Sequence, residues 1–193
     1  GLNILLGIFS VLITFRLAVK KSNWALAGIL LLPVIIILSE RVDIRPEMFS
    51  NLLLVLVFYL LSDFRSAKSA KNLVWLIPVF FLWVNLHIYF FVGLFMVALA
   101  LGEQFILERR NIFKAVHARK LFYYFLGSMA VCLINPNFIK GLAFPFKVMA
   151  LYYKYQDNYE IVENKSPFYL EKLMVDHNIF IFKALLLVLA VSF

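Results

Sequence analysis

The chain has 193 residues, 64% of them hydrophobic and only 16% charged, with 19 Lys and Arg against 11 Asp and Glu for a net charge of +8. That balance excludes an ordinary soluble globular domain and leaves room for about six or seven helical crossings, since each needs roughly 20 apolar residues. The single cysteine, Cys132, excludes an internal disulfide and a cysteine-based metal cage.

In chain order the apolar segments are Leu2–Val19, Trp24–Ser39, Met48–Leu61, Leu73–Leu86, Ile88–Leu107, Leu121–Ile134 and Ile179–Phe193. They predict an all-α fold, a polytopic transmembrane helical bundle of about seven crossings. Residues 1–193 read as a single transmembrane domain and as a fragment of a longer polytopic protein, because the outermost segments begin and stop within apolar runs. The first stretch lacks the basic n-region and small-residue cleavage site of a signal peptide. Met48–Leu61 and Leu73–Leu86 would each span only ~21 Å at 1.5 Å per residue, so their ends are expected below the membrane surface, in a recessed cavity.

The linkers give an orientation. One set carries Arg16, Lys20, Lys21, Arg65, Lys68, Lys71, Arg109, Arg110, Lys114, Arg119 and Lys120 against Asp63, Glu103 and Glu108. The positive-inside rule makes this set cytoplasmic. The other set balances eight basic residues with eight acidic ones and faces outward. The net positive charge is thus a topology signal, and no nucleic-acid partner is expected. Within the outer stretch from Asn135 to Asn178, Lys140, Lys147 and Lys154 recur at a helical stripe among Phe144, Phe146, Met149 and Leu151. This predicts a helix lying in the outer interface, starting near Pro145 because Gly141 and Pro145 disfavour one unbroken helix.

Polar residues of interest fall on the outer side. Glu40-Arg41-Val42-Asp43-Ile44-Arg45-Pro46-Glu47 holds five charges between two apolar segments, and an ionisable group at bilayer depth costs about 2.5–3.5 kcal/mol. Two guanidiniums, Arg41 and Arg45, can hold a phosphate bidentately, or can pair with Glu40, Asp43 and Glu47 as a structural network. Pro46 also fits the first position of a helix, with Glu47 complementing its dipole. Trp83-Val84-Asn85-Leu86-His87 marks a hinge, where Asn85 and His87 either bind substrate or end a helix by hydrogen bonding. Asn135-Pro136 reads as a turn, and Glu163-Asn164-Lys165-Ser166-Pro167 lies in the long outer stretch. Asp43, Glu47 and His87 offer oxygen and nitrogen donors to a divalent ion, but no ligand-spacing motif supports a metal site. Neither a Walker loop, a dinucleotide fingerprint nor a G-x-S-x-G elbow occurs, which disfavours ATP-driven transport and serine hydrolysis.

The order of these motifs, Arg45-Pro46, then Leu82-Trp83-Val84-Asn85-Leu86-His87 ahead of Gly93, then Asn135-Pro136, then Glu163 with Ser166-Pro167, resembles polytopic glycosyltransferases of the GT-C class and their uncharacterised bacterial relatives. The resemblance covers roughly Arg41 to Pro167, with Ile88 where relatives commonly have Gly and Asn164 where they often have an aromatic. It implies transfer of a sugar from a polyprenyl-phosphate-type lipid carrier to an acceptor on the extracytoplasmic face of a bacterial plasma membrane. It also implies a catalytic acidic residue in an outer loop upstream of Leu2. Arg41 and Arg45, with or without a divalent ion such as Mg or Mn, would then stabilise the departing lipid phosphate. Asp43, Glu47, Asn85, His87 and Glu163 would complete the substrate site. A lipid or anion transporter or flippase, and a non-catalytic membrane scaffold, are the alternatives.

Overall fold

The computed structural model describes residues 1–39, 45–67, 70–107, 116–155, 168 and 177–191. Regular structure among them is entirely helical: α1 Leu2–Val19, α2 Trp24–Ser39, α3 Pro46–Ala67, a 3-10 turn Lys71–Trp75, α4 Leu76–Leu86, α5 Phe90–Leu107, α6 Val116–Val131, α7 Phe138–Tyr155 and α8 His177–Val191. The first two apolar segments become α1 and α2 with the predicted bounds. Asn23 starts α2 by accepting the Leu26 amide on its Oδ1 at 2.8 Å, which satisfies one of the helix's orphan donors.

Several expectations are corrected. The third segment is not short, because α3 runs for 22 residues, from Pro46 to Ala67. Its added turn keeps Leu61 and Phe64 on the core while Asp63 and Arg65 find partners at its rim. At 1.5 Å per residue it is about 33 Å long, so its ends need no recess. The fourth segment is shorter than expected as an α-helix, with 11 residues in α4 after the 3-10 turn. Pro78 sits in the first turn of α4, where its missing N–H has no intrahelical partner to lose. Gly141 and Pro145 do not break α7, which is continuous over 18 residues. Pro145 forfeits one bond to the Gly141 carbonyl, but its ring is fully buried, and that packing offsets the loss.

Three helical stretches, Leu2–Val19, Pro46–Ser66 and Phe90–Leu107, are long and apolar enough to cross a membrane, and Trp24–Ser39, Lys71–Leu86 and Ile179–Ala190 are apolar but shorter. The exterior is itself apolar. Ile106 is 76% exposed, Leu187 67% and Phe95 61%, an arrangement that suits a hydrocarbon surround and would be a liability in water.

The core lies among α3, α4, α5 and α6, where Val57, Leu73, Leu76, Phe80, Trp83, Val97 and Leu121 are fully buried. α1 lies along α3, α2 packs on α1, and α8 packs on α2. Gly93 permits the closest approach in this core: a Cβ there would collide with the Trp83 ring and stand 3.0 Å from Phe80 Cε1.

Each end of the bundle has its own chemistry. At the ends of α1, α3 and α5, Lys20 pairs with Asp63 at 3.8 Å, Asn72 Nδ2 donates to Asp63 at 2.7 Å, and Arg65 pairs with Glu103. Lys20, Asp63, Arg65 and Glu103 belong to the predominantly basic set, of which Lys68, Glu108, Arg109, Arg110 and Lys114 lie outside the described residues.

Candidate functional site

At the other end, α3 begins with Arg45-Pro46-Glu47, and Arg45 Nη1 lies 4.0 Å from Glu47 Oε1, both side chains being partly exposed. One helical turn further on, the same face carries Ser50, which is buried at 3% exposure. Trp83 Nε1 donates to Ser50 Oγ at 2.8 Å, and Ser50 Oγ lies 2.7 Å from His87 Nδ1. The indole N–H can only donate, so Ser50 accepts it and its own proton is available for His87 Nδ1; a neutral imidazole then carries its proton on Nε2. α3 is thereby latched to the α4–α5 corner. Sequence reasoning missed Ser50. The available signal was its spacing, three residues after Glu47 and on one face with it.

His87 ends α4 in an extended conformation, with its own N–H donating to the Trp83 carbonyl at 2.9 Å. Burial holds its imidazole below the ordinary value of 6.5, and the Glu47 carboxylate pulls weakly in the other direction. The folded protein therefore binds fewer protons at His87 than the unfolded chain does. The stability contributed by the neutral ring is complete above 6.5 and is lost as pH falls from there through the lower folded value. Unfolding measured between pH 8 and pH 5 should show stability declining on the acid side, and His87→Asn should flatten that slope. An unchanged slope in the variant would remove His87 as its source.

Asn85 Nδ2 donates to the Phe81 carbonyl at 2.8 Å and to the Ile134 carbonyl at 3.1 Å. Both its donors thus serve backbone carbonyls, and its carbonyl oxygen is the atom through which it can meet a substrate. Asn135-Pro136 is a turn, with Asn135 Oδ1 accepting the Asn137 amide at 2.8 Å and its Nδ2 donating to the Cys132 and Phe138 carbonyls at 2.8 and 3.1 Å. Gly141 is needed here, since a Cβ would overlap the Asn135 carboxamide. Phe138 enters α7 with φ 45°, a left-handed value that costs a non-glycine residue about 1–2 kcal/mol and that the Asn135 bond to its carbonyl helps to hold.

A series of ring contacts leads from the site to α7. His87 meets Tyr89 edge-on at 4.5 Å between centroids, Tyr89 meets Phe91 at 6.4 Å, and Phe91 meets Phe146 of α7 at 6.1 Å. Lys140, Lys147 and Lys154 of α7 are all exposed. Between α1, α2 and α3 an apolar groove of about 550 Å³ reaches the same end, with Ile8, Leu12, Ile35, Leu38 and Met48 among its walls and Asn3, Ser10, Ser39 and Asn51 as its polar residues.

Of the seven predicted site residues, Arg45, Glu47, Asn85 and His87 come together at one end of the bundle, and Arg41, Asp43 and Glu163 lie outside the described residues. Among the described residues no three His, Cys, Asp or Glu side chains gather to hold a metal ion. Of the three divalent-ion donors named from the sequence, Glu47 and His87 are close enough to interact electrostatically, and Asp43 is not described. Compared with protein families, with curated proteins and with solved structures, the chain matches none.

Proposed function

We propose that this chain is part of an integral membrane glycosyltransferase of the GT-C kind, which moves a sugar from a polyprenyl-phosphate-type carrier to an acceptor. The observation that carries this reading is the latch from Ser50 to His87, 2.7 Å long, which sets the Arg45-Glu47 corner beside the Trp83–His87 hinge, at the end of α3 where Met48 and Asn51 line an apolar groove. A guanidinium at the start of α3 and an apolar groove along the same helix suit a lipid-linked phosphate. In this reading the bundle makes about seven crossings, the Arg45 end faces outward from a bacterial plasma membrane, and α7 lies in the outer interface.

Arg45, joined by Arg41, binds the lipid phosphate and stabilises the charge that develops on it as the sugar departs. Glu47 and the carbonyl of Asn85 accept sugar hydroxyls. His87, neutral and fixed by Ser50, donates from Nε2, and Asp43 and Glu163 complete the site. An outer-loop carboxylate, placed upstream of Leu2 by the resemblance, removes the acceptor proton. A bound Mg or Mn ion would add positive charge at the phosphate. The groove between α1, α2 and α3 takes the lipid tail.

The test is sugar transfer by the full-length protein in proteoliposomes supplied with a polyprenyl-phosphate-linked sugar. Arg45→Ala should lower the rate roughly tenfold, as expected for a lost hydrogen bond to a charged group, and Arg45→Lys should retain part of it. Unchanged transfer and donor affinity in Arg45→Ala would remove the phosphate assignment. A lipid transporter is the second reading, favoured by a further groove at the opposite end of the α1–α3 contact. It requires the carrier to change leaflet with its sugar–phosphate bond intact.

A further inference from the structure

The second groove, of about 700 Å³, lies between α1, α3 and α5 at the end opposite Arg45. Its walls include Leu17, Leu54, Phe58 and Leu99, and Lys21 and Arg65 stand at its mouth. Along α3 it runs from Leu54 to Arg65, which is roughly 16 Å at the helical rise per residue. That is close to half of a ~30 Å hydrocarbon core, or the depth of one leaflet. Phe58 and Leu99 are 50% and 58% exposed, so large apolar surfaces stand open beside the cations.

The charges at the mouth are unequal. Asp63 is engaged by Lys20 and Asn72, and Glu103 by Arg65. Among the described residues Lys21 has no acidic partner, and a guanidinium has five N–H donors, more than one carboxylate can accept. Ser62 and Ser66 add hydroxyls at the same level. A soluble phosphate would use the cations and leave the walls bare, whereas a zwitterionic lipid would bring its own cation to Lys21 and Arg65.

We propose that this groove binds one anionic glycerophospholipid, with an acyl chain between α1, α3 and α5 and its phosphate held by Lys21 and Arg65. The site requires α1, α3 and α5 to lie in a bilayer and is independent of sugar transfer. The experiment exposes the full chain, purified in a non-ionic detergent, to equal amounts of dioleoyl phosphatidylglycerol and dioleoyl phosphatidylcholine. Lipid retained per chain is then read by native mass spectrometry. Phosphatidylglycerol should be retained over phosphatidylcholine at least roughly fivefold, and Lys21→Ser should reduce that preference by about fivefold, the share of one cation near an anionic headgroup. Leu99→Trp, which fills the groove and keeps both cations, should displace the lipid. Lys140→Ser, at the other end, should leave the preference unchanged. Equal retention of the two lipids overturns the proposal. So does undiminished binding in Leu99→Trp, or a loss in Lys140→Ser that matches Lys21→Ser. Because the readout is lipid retention, its failure leaves the glycosyltransferase reading standing.

Discussion

Trp83→Ala is expected to lower the unfolding free energy by about 3–5 kcal/mol, measured as a shift in the denaturant midpoint of the full chain in detergent micelles. The side chain is fully buried, stacks on Phe80 at 6.0 Å between ring centroids, and donates to Ser50. Removing it opens a cavity in the core and also removes the Trp83–Ser50 hydrogen bond between α4 and α3. In lipid or detergent the surroundings are as apolar as the core, so the loss is one of packing contacts more than of water exclusion. Trp83→Phe helps to separate the two contributions, because it keeps most of the aromatic volume and removes the N–H. If Trp83→Ala shifts the midpoint no further than a surface change such as Ile106→Ala, the core assignment of α4 is wrong.

Gly93→Leu is expected to cost about 3 kcal/mol, the upper part of the usual range for overpacking. The colliding groups are the rings of Trp83 and Phe80, both rigid and both fully buried, so neither can swing aside. α5 would have to move away from α4, and the Ser50–His87 contact would be strained with it. The same measurement decides the matter, and Gly102→Leu is the control, since a Cβ at Gly102 meets nothing within 4 Å. Leu has the better helix propensity at both positions, so equal losses at the two glycines would mean that the close approach of α5 to α4 does not set the cost.

The apolar segments were legible because a chain that turns hydrocarbon-like surfaces outward must mark its helices by long unbroken runs. Leu2–Val19 and Trp24–Ser39 are found with those bounds. Where the reading failed, the cause was local chemistry inside a helix. Pro145 looks like a breaker until its ring is seen to be buried, and Asp63 and Arg65 look like the end of a segment until Lys20 and Glu103 are seen beside them. At the candidate site, Arg45, Glu47, Asn85 and His87 were legible as polar residues at segment ends. Ser50 was not, because a serine within an apolar helix most often bonds back to its own helix, as Ser10 does to Leu6. Only the position of Trp83 and His87 across from it gives Ser50 a different role.

The aromatic series from His87 to Phe146 gives α7 leverage over the site. α7 is pinned at its origin by the Asn135 side chain seated over Gly141, and further along Leu142, the buried Pro145 and Phe146 pack it on the rest of the molecule. A swing of this helix about its pinned end would travel from ring to ring and reach His87 as a rotated imidazole, with the backbone of α4 and α5 left in place.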